Sequence, residues 1–573
     1  MGKNELKITH ENAADRMTYV GEVYSVGEKK VKEDLLNALP EEWSRLHKNG
    51  NIHIHDLDAY GRTYNCLAFQ LDDFFPYTRF ENHSANGKII SIFDFIKELL
   101  SKLGNEQSGG MAFANFDNDI ANTINKLNVD DNDVDEDILR TCIKSFIIWC
   151  NNSHERMGKV SYYVSLNVGL AKNALARKIC YLLLDEFEKT DATIFKPNII
   201  FKLNKKINSN KDSVNYDLYN KALKVTTKKM IPTYVFSDTK PNKSVAPEKL
   251  VIMGCRTRVV DDKYGEKRSI GRGNIAYVSI NLPRIALMLK EKHNISLDSY
   301  LEEWDSVAKT VSEILEDRYY KLVNNRTTKD FRLNQQYKMW MKSFTENDLD
   351  NIFKHGTLSI GYIGLSEAVE ILTDNKYYEN DKSYTIAYKI VEHMKHFVDN
   401  LTDSTRFNYS LLASSGELIS GRFTKIDKNK GYKHKVIDKG FYTNSFHVNV
   451  DSKVSTFKKI ELEGPFHIFN SGGCITYLEL KEAPINNETA LKELINHAYT
   501  SGIHYLGFNF DLDICKQCST RGVFDECPSC KSKEIIRIRR VSGYLEIVDY
   551  FTYGKQNEVK KRLLNKVDLC TYQ

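Results

Sequence analysis

The chain has no long uncharged apolar run, no marked excess of either charge, and no repeated or low-complexity tract. Each absence removes a class of function. No segment is long and apolar enough to span a bilayer, and the N-terminal MGKNELKITHENAADRM lacks the apolar core of a signal peptide, so neither a membrane anchor nor a secretory leader is expected. The balance of 81 Lys and Arg against 76 Asp and Glu leaves +5 over 573 residues. Duplex binding requires a concentrated basic field, so no direct nucleic-acid partner is expected. An apolar fraction of 41% with 27% charged residues is ordinary for a globular chain. A disulfide framework is also missing. Cysteines number eleven, an odd count, and Cys66, Cys142, Cys150, Cys180, Cys255, Cys474 and Cys570 are scattered singly, which points to a reducing compartment. The expected location is the cytoplasm, or the host cytoplasm if the gene is a phage's.

What is present is an alternation of helical and strand-like stretches. Residues 29–49, 91–104 and 133–150 carry helical apolar spacing, the first stopping at Gly50. Ile199–Leu203, Thr233–Phe236 and Ile275–Ile280 are short apolar runs of strand type. Such alternation over roughly 450 residues predicts an α/β fold with a mostly parallel sheet, open or closed into a barrel. The polar stretches 205–213 and 425–434 are expected to be exposed loops, and the rhythm ends near residue 510.

The other four cysteines are grouped in CKQCSTRGVFDECPSC. Cys515, Cys518, Cys527 and Cys530 form two C-x-x-C knuckles eight residues apart, a spacing that brings four thiolates to one tetrahedral zinc. A redox dithiol pair or an iron site is the competing use. Four protein ligands leave no open position, so a zinc here is structural. Downstream, in RRVSGYLEIVDYFTYGKQNEVKKR (539–562), Gly543 interrupts a strand pattern in a chain with only 30 glycines. Glycine weakens a strand, and spacing alone suggests a bulge or turn.

R-V-x-G-Y close behind a four-cysteine motif, near the chain end, resembles the glycyl-radical segment of the anaerobic (class III) ribonucleotide reductases. The resemblance extends over most of the chain: NIHIHDLD (51–58), NCL (65–67), GCR (254–256), GRGN (271–274), SINLPRIAL (279–287), GYIGLSEA (361–368), SGRFTKID (420–427), YTNSFHVNV (442–450) and FNSGGCITYLEL (469–480). It implies a ten-stranded α/β barrel of the glycyl radical enzyme type with surrounding helices and a small C-terminal zinc-binding region. The implied divisions are an N-terminal helical segment (1–50), a catalytic barrel (51–510) and a zinc-binding and glycyl radical region (511–573). The NIHIHDLD match begins after only about fifty residues, too few for the ATP-binding regulatory domain of many relatives, so no such on/off control is expected.

The implied reaction is the reduction of ribonucleoside triphosphates to 2′-deoxyribonucleoside triphosphates. Gly543 stores a radical generated by a separate iron–sulfur activase that uses S-adenosylmethionine. Cys255 becomes the transient thiyl that abstracts the 3′ hydrogen, and Cys66 delivers hydrogen from the opposite face of the sugar. Asn274 is the candidate for the asparagine that binds the sugar hydroxyls, with Asn281 competing. Aerobic-type relatives carry a glutamate two residues after the thiyl cysteine. That position is Thr257 here, so formate is the expected reductant, with Cys570 as a possible shuttle thiol for a dithiol relay. Deoxynucleotide effectors and a homodimer are implied as well, without a motif that places their sites.

The plain readings of other residues stand beside these. A lone cysteine is usually a small buried hydrophobe, which is the expectation for Cys142, Cys150, Cys180 and, above a pocket-lining role, Cys474. His53, His55 and Asp56 are expected to hydrogen-bond and not to hold a metal, and Glu417 and His447 to support the site. Two alternatives remain at the level of function. One is another glycyl radical enzyme of formate-lyase or diol dehydratase type; the other is a non-catalytic zinc-ribbon nucleic-acid binder, in which Cys66 and Cys255 would be dispensable.

Overall fold

Short runs of β-branched and aromatic residues become strands buried on both faces, as happens when helices cover a parallel sheet. The computed structural model of the protein describes residue 11 and residues 18–155, 160, 161, 163–341 and 348–562. Ten strands, numbered here in chain order, form its centre: β1 Leu67–Phe69, β2 Met111–Phe113, β3 Val164–Val168, β4 Asn198–Leu203, β5 Thr233–Phe236, β6 Asn274–Asn281, β7 Thr357–Ile363, β8 Asn408–Ala413, β9 Thr476–Glu479 and β10 Tyr505–Asn509.

Strands β1 to β5 lie side by side in parallel. Strands β6, β7 and β8 form a second parallel run, and β9 runs parallel to β10. Where β10 meets β5 the direction reverses, with Tyr505 opposite Val235. Single bridges join the remaining edges: Leu412 to Gly473 links β8 to the approach of β9, and Ala68 to Arg272 links β1 to the approach of β6. The seven strands of the larger sheet and three of the smaller make a ring of ten, built as two opposed five-stranded halves. The short strand Ile52–Ile54 adds antiparallel to the C-terminal half of β6.

Helices cover the ring. Ala85–Leu103 buries Ile89, Ile92, Phe93, Phe95, Ile96, Leu99, Leu100 and Leu103, a three-and-four spacing that faces one side inward. At about 1.5–3 kcal/mol per buried side chain, that stripe and not intrinsic propensity holds the helix. Asp135 caps Glu136–Asn152 by accepting from the Asp137 and Ile138 amides. Among the described residues, no helix is long and apolar enough to cross a membrane.

Three local expectations are corrected. The helix foreseen over 29–49 is two helices, Tyr19–Ala38 and Glu41–Asn49. Leu39 is extended because the following Pro40 excludes the helical region for it. Gly50 ends the second helix in the left-handed conformation, as glycine allows. In the stretch 205–213, Lys205–Ser209 forms a π-helical turn with Asn208 buried and bonded to Gly169 O and Lys202 O. Residues 425–429 are not loop but the end of the helix Ile419–Asn429.

Inside the ring runs a finger, a hairpin of Ile252–Met253 and Thr257–Arg258 with Gly254, Cys255 and Arg256 at its tip. Small side chains on β1 and β2, Ala68 and Ala112, make room for it beside Val251 and Met253. Asn167 on β3 grips it through both the amide and the carbonyl of Ile252, and Ser165 and Asn198 donate to the Gly254 carbonyl. From the opposite half, the Gly472 carbonyl accepts from the Arg258 amide.

After the ring the chain forms a small antiparallel sheet: β11 Leu512–Cys515, β12 Arg521–Gly522, β13 Ile535–Arg540 and β14 Leu545–Ile547, ordered β12-β11-β13-β14. The closing helix Tyr553–Lys561 packs on Ile419–Asn429.

Candidate active site

Gly543 lies in the tight turn between β13 and β14, where the Val541 amide donates to the Tyr544 carbonyl. Its φ is outside the left-handed region, so backbone conformation does not demand glycine. Proximity does. A Cβ at this position would lie 1.6 Å from the Cys255 carbonyl oxygen and 2.6 Å from the Cys255 Cα. The turn is thus pressed backbone to backbone against the fingertip.

Several bonds hold it there. Arg540 donates to Gly543 O (3.2 Å), to Phe508 O on β10 (2.8 Å) and to Met230 O (2.5 Å). Glu417 accepts from Tyr544 Oη (2.5 Å) and Ser542 Oγ (3.4 Å), the neighbours of the glycine, while its own carbonyl accepts from Thr552 Oγ1 (2.6 Å). Tyr163 adds a hydroxyl contact to Tyr544 at 3.2 Å.

On the other side of the fingertip, Cys66 enters from the start of β1. Its thiol donates to Asn65 Oδ1 (2.7 Å) and accepts from the Gly110 amide (3.3 Å). Cys66 and Cys255 both line one cavity of about 70 Å³, with Asp56, Arg256, Tyr277, Glu417 and Tyr544 among the other walls. Burial pushes the Cys66 thiol up to about 12 and raises Cys255 as well. At neutral pH both sulfurs therefore keep their hydrogen, the form suited to hydrogen-atom transfer and unsuited to nucleophilic attack.

Asn274, at the head of β6, is not among the lining residues; it stands directly behind one of them. Its carbonyl accepts from the amides of Asn65 and Cys66, and its Nδ2 donates to Thr357 Oγ1 (3.0 Å) and Ser359 Oγ (2.7 Å). Asn281 sits at the far end of the same strand, where it caps the helix Leu282–Glu291 and donates to Gly50 O (2.9 Å). Those bonds occupy it structurally.

Supporting residues divide in the same way. Glu417 is at the cavity, whereas His447 is paired with Glu463 (3.0 Å). His53 and His55 share the Glu11 carboxylate, at 2.9 and 3.4 Å; His55 also bonds Ser279 Oγ and stacks on Tyr277. Cys150 and Cys180 are buried in helices and Cys142 is half-buried. Cys474 is buried beside His504, off the cavity. Cys570 lies outside the described residues. Asn65, Arg256 and Tyr544 carry no spacing signal of their own; their position next to Cys66, Cys255 and Gly543 is the one cue the sequence offers to them.

The four grouped cysteines come together at the edge of the small sheet, their sulfurs all within 4.8 Å of one another. Cys515 and Cys530 approach to 3.5 Å and Cys518 and Cys527 to 3.4 Å. A tetrahedral ion with Zn–S bonds of about 2.3 Å separates its sulfurs by about 3.8 Å, so the set fits zinc. The neighbouring arginines are committed internally: Arg539 pairs with Asp511 and Asp513, and Arg537 with Asp525.

A family model described as anaerobic ribonucleoside-triphosphate reductase matches residues 11–564. The chain belongs to this family. Among reductase relatives, the anaerobic ribonucleoside-triphosphate reductase of Escherichia coli is 28% identical over 92% of this chain and 79% of its own length. That of Enterobacteria phage T4 is 27% identical over 92% of each. Among solved structures, an anaerobic ribonucleotide reductase superposes with a TM-score of 0.69 at 13% identity, covering 95% of this chain and 88% of its own. The Thermotoga maritima enzyme in complex with dATP and CTP gives 0.66 at 15%, covering 92% and 89%. The glycerol dehydratase of Clostridium butyricum, which is B12-independent, gives 0.60 at 11%, covering 95% and 84%. The fold is therefore shared with a dehydratase, and the family match separates the reductase from the dehydratase reading. The zinc-ribbon binder leaves the reductase body unexplained.

Proposed function

We propose that the chain reduces ribonucleoside triphosphates to 2′-deoxyribonucleoside triphosphates, with a radical stored at Gly543, a thiyl at Cys255 and formate as reductant. The observation that carries this reading is the contact of Gly543 with the Cys255 backbone, too close for any Cβ, at a cavity that also holds Cys66. A glycyl radical delocalises over its two flanking amides, and no side chain crowds its planar Cα. Cys255 takes the unpaired electron by giving its hydrogen to Gly543, then removes the ribose 3′ hydrogen. Cys66 supplies hydrogen as the 2′ hydroxyl leaves as water. Asn274 stands behind Cys66 with its amide nitrogen committed to Thr357 and Ser359, so its part in the proposed reaction is to position Cys66, whose amide its carbonyl holds, and not to touch the sugar.

The reaction balances as formate plus a proton plus ribonucleotide giving carbon dioxide, deoxyribonucleotide and water. Formate loses two electrons and the 2′ carbon gains them. Thr257 in place of a carboxylate two residues after Cys255 supports formate over a dithiol relay. A separate iron–sulfur activase using S-adenosylmethionine generates the radical, and zinc in the four-cysteine site supplies a fixed crosslink behind the glycine turn. The T. maritima structures in complex with dATP and CTP, and with dATP in the specificity site, support binding of nucleotides by this chain; a homodimer and a cytoplasmic location are part of the same proposal.

Electron paramagnetic resonance after anaerobic activation tests the reading. A doublet is expected from wild type and from Cys255→Ser, and none from Gly543→Ala. Formate-dependent deoxynucleotide formation is expected from wild type alone. Turnover by Cys255→Ser, or a doublet that survives Gly543→Ala, overturns the assignment.

A further inference from the structure

The finger carries two arginines, Arg256 and Arg258, each only 4% exposed. Arg258 is answered on every side: Nε donates to Asn242 Oδ1 (2.8 Å), and its terminal nitrogens to the carbonyls of Ser471 (3.3 Å) and Pro241 (2.6 Å). Arg256 makes no hydrogen bond or ion pair with any described residue, and its Nε is sealed from solvent without an acceptor. A buried guanidinium without a partner is costly to keep. This one lines the cavity that holds both thiols.

The acids on the same cavity are already engaged. Asp56 accepts from Asn65 and Ser108, and Glu417 from Tyr544 and Ser542. Tyr477, on β9, is not itself on the cavity wall, but its buried hydroxyl has no partner among the described residues. Burial holds that phenol protonated, and the Arg256 charge is close enough to act on it. A cation on the cavity wall with no acceptor spent on it, and an unanswered O–H donor near that cation, suit a small anion.

We infer that Arg256, assisted by Tyr477, anchors the carboxylate of formate in the thiol cavity. The inference rests on the formate reading above. The planar fork of the guanidinium matches two carboxylate oxygens. A cavity of about 70 Å³ admits an anion of three heavy atoms, since a water needs about 10–15 Å³. Held by its oxygens, formate turns its C–H bond away from the arginine and toward the space that Cys66 and Cys255 border.

The test compares wild type with Arg256→Gln, Arg256→Lys and Tyr477→Phe after anaerobic activation. Loss of a charge-assisted pair is expected to raise the formate KM of Arg256→Gln by about 10- to 100-fold. The doublet intensity, the zinc content and the dissociation constants of the four ribonucleoside triphosphates are expected to stay at wild-type values. Arg256→Lys recovers most of the loss, and Tyr477→Phe, which removes one oxygen, raises the formate KM severalfold. Saturation-transfer NMR with 13C-formate on the unactivated proteins reads binding without turnover: signal from wild type and none from Arg256→Gln. An unchanged formate KM in Arg256→Gln overturns the inference. So does an unchanged KM in Tyr477→Phe should the glutamine variant not fold, or a rise in nucleotide dissociation constants with formate KM unmoved. Wild-type turnover that ignores formate overturns the reductant reading itself, and it shows before any variant is made.

Discussion

Replacing Gly543 with alanine asks a methyl carbon to occupy a point 1.6 Å from the Cys255 carbonyl oxygen. The glycine turn or the fingertip must move, so Gly543→Ala is expected to lose more than the stored radical. Cys255 will shift too, detectable as faster alkylation of that thiol by iodoacetamide in the unactivated variant. Equal labelling rates in variant and wild type would show the contact to be softer than its geometry. Cys66 makes a second prediction at this scale. Its thiol is pushed up to about 12 by burial, so the folded protein keeps the S–H at any pH below that value. The alkaline limb of kcat is expected to lie above about pH 10, and a limb near the ordinary thiol value of about 8.5 would contradict the assigned hydrogen donor. The sequence made Cys66, Cys255 and Gly543 visible through the short motifs around them. Arg256 was in plain view in GCR and went unread, because a lone arginine carries no spacing signal and its unanswered Nε exists only in three dimensions.

Between residue and fold, the C-terminal sheet decides where the glycine turn sits. β11 carries Cys515 and pairs with β13, whose end delivers Arg540 and then Gly543. Cys515→Ser or Cys527→Ser is expected to release the metal, measured by elemental analysis, and to lower the radical yield in proportion. Zinc-free protein with a normal doublet would separate the two. Arg540→Ala removes three bonds that reach β10, the turn and Met230. Its cost is expected at about 2–4 kcal/mol in chemical denaturation, with a weakened doublet at full zinc occupancy. Elements were legible in proportion to their apolar length. Thr233–Phe236 was read with its observed ends, because both faces are apolar and turn residues flank it. The finger strands are two residues each, below any period a sequence can display. Apolar spacing runs through Pro40 without a break, whereas the restriction that proline places on Leu39 divides the helix there.

At the scale of the whole molecule, alternating strand and helix patterns identified an α/β layout, whereas the ring order did not follow from hydropathy. Closure depends on single bridges at Ala68 and Leu412, and no pattern of apolar residues encodes those. Buried histidines contribute to the molecule's response to acid. Burial pushes His467 down to about 3 and His504 well below its ordinary value. The unfolded chain binds protons at these rings near pH 6.5 and the folded chain does not, so unfolding takes up protons and stability falls as pH drops from about 6.5 toward 3. The melting temperature is expected to decline steadily between pH 7 and pH 4, and less steeply in His467→Gln. A flat profile would mean these rings are more accessible than their burial implies.

The order in which the site's parts leave the ribosome follows from the same topology. Cys66 is made before Cys255, and Gly543 follows both and also follows β10. The ring needs β10, at residues 505–509, to complete its antiparallel seam with β5. A nascent chain that stops before β10 therefore has its thiols but neither the seam nor Gly543. Under the proposed function, no radical can be stored before the strands that enclose it have been made, a safeguard written into the order of synthesis.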